Sequence, residues 1–203
     1  MEMRGLRTAA IAALLATLIV GTRDAPATIE EQRARLPPAA ECASPIAGRW
    51  RSLNYSHYED AWYQFTLEIR AEGPDGSVLT GMIYVDDWDG PERTPEPPVP
   101  CIRRHKGKMT GRGTFKNGDV RFGGSDYEPV EQVCGHALRY NPDQFTGKLD
   151  PERQEFQAVN NDGGLMVNDP TVFRRIGCFD DTRKEPGSDV KPPPFFPKHK
   201  SGC

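Results

Sequence analysis

An all-β fold, an up-and-down antiparallel eight-stranded barrel, is what this sequence predicts, and three observations predict it. From residue 46 to residue 178, apolar and aromatic residues alternate with polar ones. That is the period of strands with one buried face. No long helical period interrupts the series, so the crossover helices of a parallel sheet are not expected. The connections alternate between tight and long. In a meander, alternate connections share an end, so the tight turns form a base and the long loops a mouth.

Strands are predicted at 48–54, 62–71, 77–86, 108–115, 119–123, 144–149, 154–160 and 171–176. The second is the clearest: Tyr63, Phe65, Leu67 and Ile69 fall on one face, Gln64, Thr66, Glu68 and Arg70 on the other. The base turns read EGPDG, KNGD and DPER, with Asn117-Gly118 a strong hairpin signal. The mouth loops are YSHYED and the segments 87–107, 124–143 and 161–170.

The flanks differ in character. Arg4 and Arg7 precede an apolar run at 8–20, and Ala25-Pro26-Ala27 follows as a small-x-small cleavage pattern. Residues 1–27 therefore read as a signal peptide, with an uncleaved anchor as the alternative. The run is shorter than the roughly 20 residues of a membrane span. A secreted or periplasmic protein, free of the membrane once the signal is cleaved, is expected. Residues 28–45 hold a short helix and linker: Thr28 with Glu31 forms a capping-box pattern, and Pro37-Pro38 ends the helix. The barrel spans 46–178, and the proline-rich tail 179–203 is expected to be extended.

Cysteines at 42, 101, 134, 178 and 203 are widely spaced, which in an exported chain suggests structural disulfides. Cys42 and Cys178 both belong to the base, Cys101 and Cys134 to the mouth. Pairing 42–178 and 101–134 joins groups at one end, although four cysteines permit three pairings. Cys203 is left over. The net charge of -3 offers no basis for nucleic-acid binding, which rests on phosphate neutralisation.

Gly48-Arg49-Trp50 on the first strand, with Arg174 and Arg175 on the last, resembles the calycin superfamily: lipocalins, avidins and related bacterial metalloprotease inhibitors. The stretch GSVLTGMIY resembles the third strand of avidins. The resemblance implies that Trp50 plugs the base and that Arg174 or Arg175 covers it by cation–π stacking. No tryptophan follows Trp88, so the later tryptophans of a biotin pocket are missing.

No catalytic set and no cofactor or metal site is expected. His57, His105, His136 and His199 are scattered and read as solvated. Asp86, Asp87 and Asp89 lack calcium-loop spacing and read as acids that keep a strand edge soluble. Tyr63, Phe65, Met82, Tyr84, Met109, Phe115, Phe122 and Phe145 are assigned to the interior face as candidate ligand contacts. The pattern leaves both a filled core and an apolar pocket open. Gly111, Gly113 and Gly147 suggest free space inside or bends in coiled strands. Two functions follow as expectations: a carrier of a small apolar molecule in the cup, or a protease inhibitor or interaction module using mouth loops or a terminal segment to reach a protein target.

Overall fold

The computed structural model describes residues 28–96, 103–134, 140–164, 168 and 170–179. The expected signal segment, Cys101, Cys203, His136, His199 and the tail beyond Phe179 lie outside them. The elements are α1 (Ile29–Arg35), β1 (Gly48–Ser56), β2 (Ala61–Glu72), β3 (Val78–Asp89), β4 (Arg104–Lys116), β5 (Asp119–Val133), β6 (Gln144–Asp150), β7 (Glu155–Asn160) and β8 (Pro170–Gly177). Each strand pairs with the next, and β8 returns antiparallel to β1, so the sheet closes into a barrel.

The strands form where alternation predicts them, but β4 and β5 run further toward the mouth. Sequence reading starts β4 at 108 and ends β5 at 123. The ribbon instead begins at Arg104 and ends at Val133. Gly-Ser-Asp-Pro chemistry masks the extension. Asp126 adopts φ 56° beside a register shift between Lys108 and Thr110, the mark of a bulge rather than of a loop. Pro129 is tolerated there because β6 pairs with β5 only over 119–123. The basic stretch around His105 is therefore strand, not loop.

The register sorts the side chains. Leu67 opposes Ile83, and Ile83 opposes Met109, all fully buried. Met82 and Tyr84 alternate with these, lie opposite Glu68 and Thr66, and stand on the outer face. Their assignment to the interior is thus corrected. Alternation leaves open which of a strand's two faces is inner, and choosing the other moves each side chain across the sheet.

At the glycines that suggested space, either a core ring or the neighbouring strand's backbone stands close. A Cβ on Gly111 would meet the Phe122 ring at 2.3 Å, and one on Gly147 would meet the Gln157 carbonyl at 2.1 Å. These glycines let neighbours approach closely. Trp50, Phe156, Phe173, Phe145 and Phe65 follow one another through the core, with ring centroids 4.8–5.1 Å apart. Trp50 is 0% exposed. Its Nε1–H donates to the Ile46 carbonyl at 2.9 Å. The Arg175 guanidinium lies 4.5 Å from its ring centroid and donates to the carbonyls of Ser44 and Pro45. Burial pulls the pKa of Arg175 down to about 10, which leaves it cationic at neutral pH. Of the two arginines, Arg175 is the cover. Arg174 points outward to Glu155 at 2.6 Å.

Closure of the barrel is uneven. β2 and β3 pair along all twelve of their residues, whereas β1 meets β8 only over 49–51 and 174–177. Beyond that point α1 covers the seam. Its capping box forms as expected from Thr28 and Glu31. Gln32, 1% exposed, donates from Nε2 to the Pro170 carbonyl at 2.8 Å and accepts from the Val172 N–H at 2.9 Å. One side-chain amide thus satisfies the two groups a neighbouring strand would have satisfied. Arg33 holds Glu155, Arg174 holds the carbonyls of Leu36 and Pro37, and the Ala40 N–H donates to the Arg175 carbonyl. Cys42 and Cys178 are disulfide-bonded, with Cα atoms 5.5 Å apart. Cys134 is also disulfide-bonded, and its partner lies outside the described residues.

Gln32→Ala leaves the buried Val172 N–H and the part-buried Pro170 carbonyl without this partner. It should cost about 2 kcal/mol in denaturant unfolding, since each such group costs roughly 1–3 kcal/mol before relaxation. Gln32→Glu keeps the acceptor and loses the donor, so it should also destabilise; a neutral outcome for both variants would mean that the amide bridges nothing in solution.

Candidate functional site at the barrel mouth

The inner rows of β2, β3, β4 and β5 turn from apolar to polar as they approach the mouth. Asp87 of β3 faces His105 of β4, and both are buried. His105 Nδ1 lies 2.6 Å from the Asp87 carboxylate. A carboxylate only accepts, so Nδ1–H donates, and Nε2 hydrogen-bonds with the Tyr127 hydroxyl of β5. The chain Asp87–His105–Tyr127 reaches across three strands. Asp87 and His105, both solvated in the sequence reading, are therefore internal: the β4 extension turns His105 inward, and the register places Asp87 opposite it, while Asp89 stays partly exposed. Asp86 is buried too, but on the outer face, where Arg104 clasps it at 2.9 Å.

A second polar group sits beside the first. Tyr140 stacks on Tyr127 with centroids 4.7 Å apart and donates to Asp143 at 3.0 Å. Asn160 of β7 donates to the other Asp143 oxygen at 2.7 Å. Asp143 is 0% exposed. Burial, aided by the nearby Asp162 charge, raises its pKa to about 7 against the pull of its two donors. Burial and Asp87 raise the Tyr127 phenol to about 12, and burial with Asp143 raises Tyr140 strongly. Tyr63 donates to Glu59 and is likewise raised, chiefly by burial. This inner polar layer lies at the mouth above the apolar core. Its hydrogen bonds tie the segment at 140–143 to β5 and β7.

Outside this layer is an open groove of about 650 Å³. Its walls are the end of β1 with the following turn (Tyr55, His57, Glu59, Asp60) and the end of β3 with the following residues (Asp89, Gly90, Pro91, Glu92). The Gly90 N–H donates to the Asp60 carbonyl at 3.2 Å, which joins the two walls. Beneath them, on the outer face, Trp62 and Trp88 stack with centroids 6.4 Å apart, and Trp62 donates to the Pro91 carbonyl. Arg35 of α1 lies over Trp62 and pairs with Glu92 at 3.0 Å. Four carboxylates line the groove, of which Glu92 is paired with Arg35 and Asp89 with Arg103.

Of the candidate ligand contacts, Phe65, Met109, Phe122 and Phe145 are buried in the core, and Tyr63 and Phe115 pack against it. Met82 and Tyr84 do not join them. Sequence reading missed Phe173, Val85 and Ile83 in the core, although each alternates correctly on its strand. It also missed Tyr127, Tyr140, Asp143 and Asn160, which come together only through the β5 extension and the loop after it. A histidine two residues inside a glycine-punctuated basic run was the available signal.

Among the described residues no group of His, Cys, Asp and Glu side chains is placed to hold a metal, and no helix is long and apolar enough to cross a membrane. Comparison of the chain with protein-family models, curated sequences and solved structures finds no match.

Proposed function

We propose that the chain is an exported, calycin-like barrel that works as an interaction module, engaging another protein with the groove and loops at its mouth. One observation carries this reading. Side chains occupy the barrel interior at the glycines where a pocket would lie, with Phe122 against Gly111, Tyr127 against Gly107 and Met109 against Gly124, whereas the mouth offers an open groove. A carrier would have to admit its apolar cargo past Asp87, His105, Tyr127 and Asp143. The terminal arm is a poorer choice of contact than the mouth, since the segment 28–41 is bonded along β8. The calycin type is supported by the Trp50–Arg175 pair, and export by the Cys42–Cys178 bond, which suits an oxidising compartment.

An environment-sensitive apolar dye tests the choice. Weak, non-saturating binding is expected. One-to-one saturation with quenching of tryptophan emission would restore the carrier reading. A photo-reactive side chain placed at His57 should cross-link a protein of the exported fraction, and the yield should fall when Glu59 and Glu92 become glutamine. Equal yield from a control position at Lys148 would remove the mouth from the proposal.

A further inference from the structure

Arg51 differs from every other partly or fully buried arginine among the described residues. Arg33 and Arg174 hold Glu155, Arg35 holds Glu92, and Arg49 holds Glu68. Arg103 holds Asp89, Arg104 holds Asp86, and Arg175 holds backbone carbonyls. Among the described residues Arg51 has no such acceptor, and its Nε is buried without a hydrogen-bond partner there. Burial, and then the neighbouring Arg49 charge, pull its pKa down. A desolvated guanidinium facing another cation is a cost that folds do not carry without compensation.

The surroundings of Arg51 narrow what would compensate it. It stands on the outer face of β1, opposite Thr66 of β2 and Arg174 of β8. Leu53, half-buried, is the next outward residue along β1. Across β2 are Met82 and Tyr84, also half-buried and outward. Tyr84 lies within the fields of Glu68 and Arg49. The face therefore presents a cation without an anion, beside a methionine, a leucine and a tyrosine. Arginine and tyrosine are the residues that anchor protein interfaces, and a guanidinium matches a carboxylate through two parallel hydrogen bonds.

We propose that the outer face of β1–β3 docks an acidic peptide segment of a partner protein, one carboxylate of which pairs with Arg51 while Leu53, Met82 and Tyr84 seat the residues beside it. Charge complementarity selects this occupant. The surface is separate from the acid-lined mouth groove, and the proposal stands whether or not the mouth binds a partner.

The test uses the full chain and hexaglutamate as the probe, read by the Nε–Hε resonance of Arg51. The resonance is expected to move saturably, with half-saturation rising as salt is added. Exposed Arg112 and Arg121 serve as internal controls and should move less. Arg51→Lys keeps the charge and loses the fork, so tyrosine fluorescence should report roughly tenfold weaker binding. Arg51→Gln should abolish saturation without lowering the melting temperature, because it removes an unpaired charge. An unmoved Arg51 resonance, or equal movement of Arg112 and Arg121, overturns the proposal. So does a probe-free shift of the Arg51 resonance in D180N/D181N, which would make the chain's own tail the occupant, or a shift on dilution, which would make it a second copy.

Discussion

Trp50→Ala is expected to destabilise the barrel by about 3–5 kcal/mol, the range for truncating a fully buried large aromatic. Trp50 is at once a core ring against Phe156, a donor to the Ile46 carbonyl and the surface on which Arg175 lies. Its loss leaves a cavity at the base and strips the Arg175 cation of its π-face, while the guanidinium keeps its two carbonyls. Trp50→Phe separates the effects. It retains most of the volume and a π-face but loses the hydrogen bond, so it should fall between wild type and Trp50→Ala. Urea titration gives both differences, and similar m-values across the series would show that the midpoints report the native state. An alanine variant as stable as wild type would mean that the indole does not close the base.

Asp143 should give the chain an unusual dependence of stability on pH. A free aspartate titrates near 3.8, while in the fold Asp143 does so near 7. Between these values the unfolded chain has released a proton that the native protein retains. The contribution of Asp143 is thus fully present below about pH 4, and it is lost as pH rises to about 7, at about 1.4 kcal/mol per pH unit. The total is on the order of a few kcal/mol, reduced by whatever water reaches the opened site. Asp86, raised chiefly by burial, acts in the same direction. Asp143→Asn still offers an acceptor to Asn160 and a donor to the Tyr140 oxygen, but never ionises. It should therefore be more stable than wild type at pH 8, with a flatter profile between pH 4 and 7. Parallel profiles for the two proteins would show that Asp143 ionises freely in the fold.

These two residues also mark how far the sequence could be read. Trp50 was legible because its role is local to a strand and its motif: a period of two, a preceding glycine, and an arginine on the last strand. Strand number, connectivity, the capped helix and the Cys42–Cys178 pairing were legible for the same reason, since each depends on order along the chain. Asp143 was not. Its environment is assembled from β5, β7 and a loop, and the bulge at Asp126 that lets β5 continue reads in sequence as a turn. Met82 and Tyr84 failed differently. Alternation gives two faces but not which is inner, and an aromatic beside a methionine reads as core on either one. Arg51 carries no sequence signal, because its lack of a partner among the described residues shows only in the folded arrangement.

The seam between β1 and β8 has a consequence for how the molecule opens. A closed barrel is a ring of ladders, and a ring gives way at its weakest link. Here the shortest ladder is the β1–β8 pairing, whose continuation is a single glutamine on a seven-residue helix. Local fluctuations should start there. The Val172 amide should therefore exchange its hydrogen with solvent earlier than amides in the middle of β3, although both are equally buried from water in the closed form. The Cys42–Cys178 bond lies just outside this link at the base, so it limits how far the two strands can part without preventing them from parting. The molecule is thus a clasped band rather than a continuous hoop, and helix α1 is the clasp.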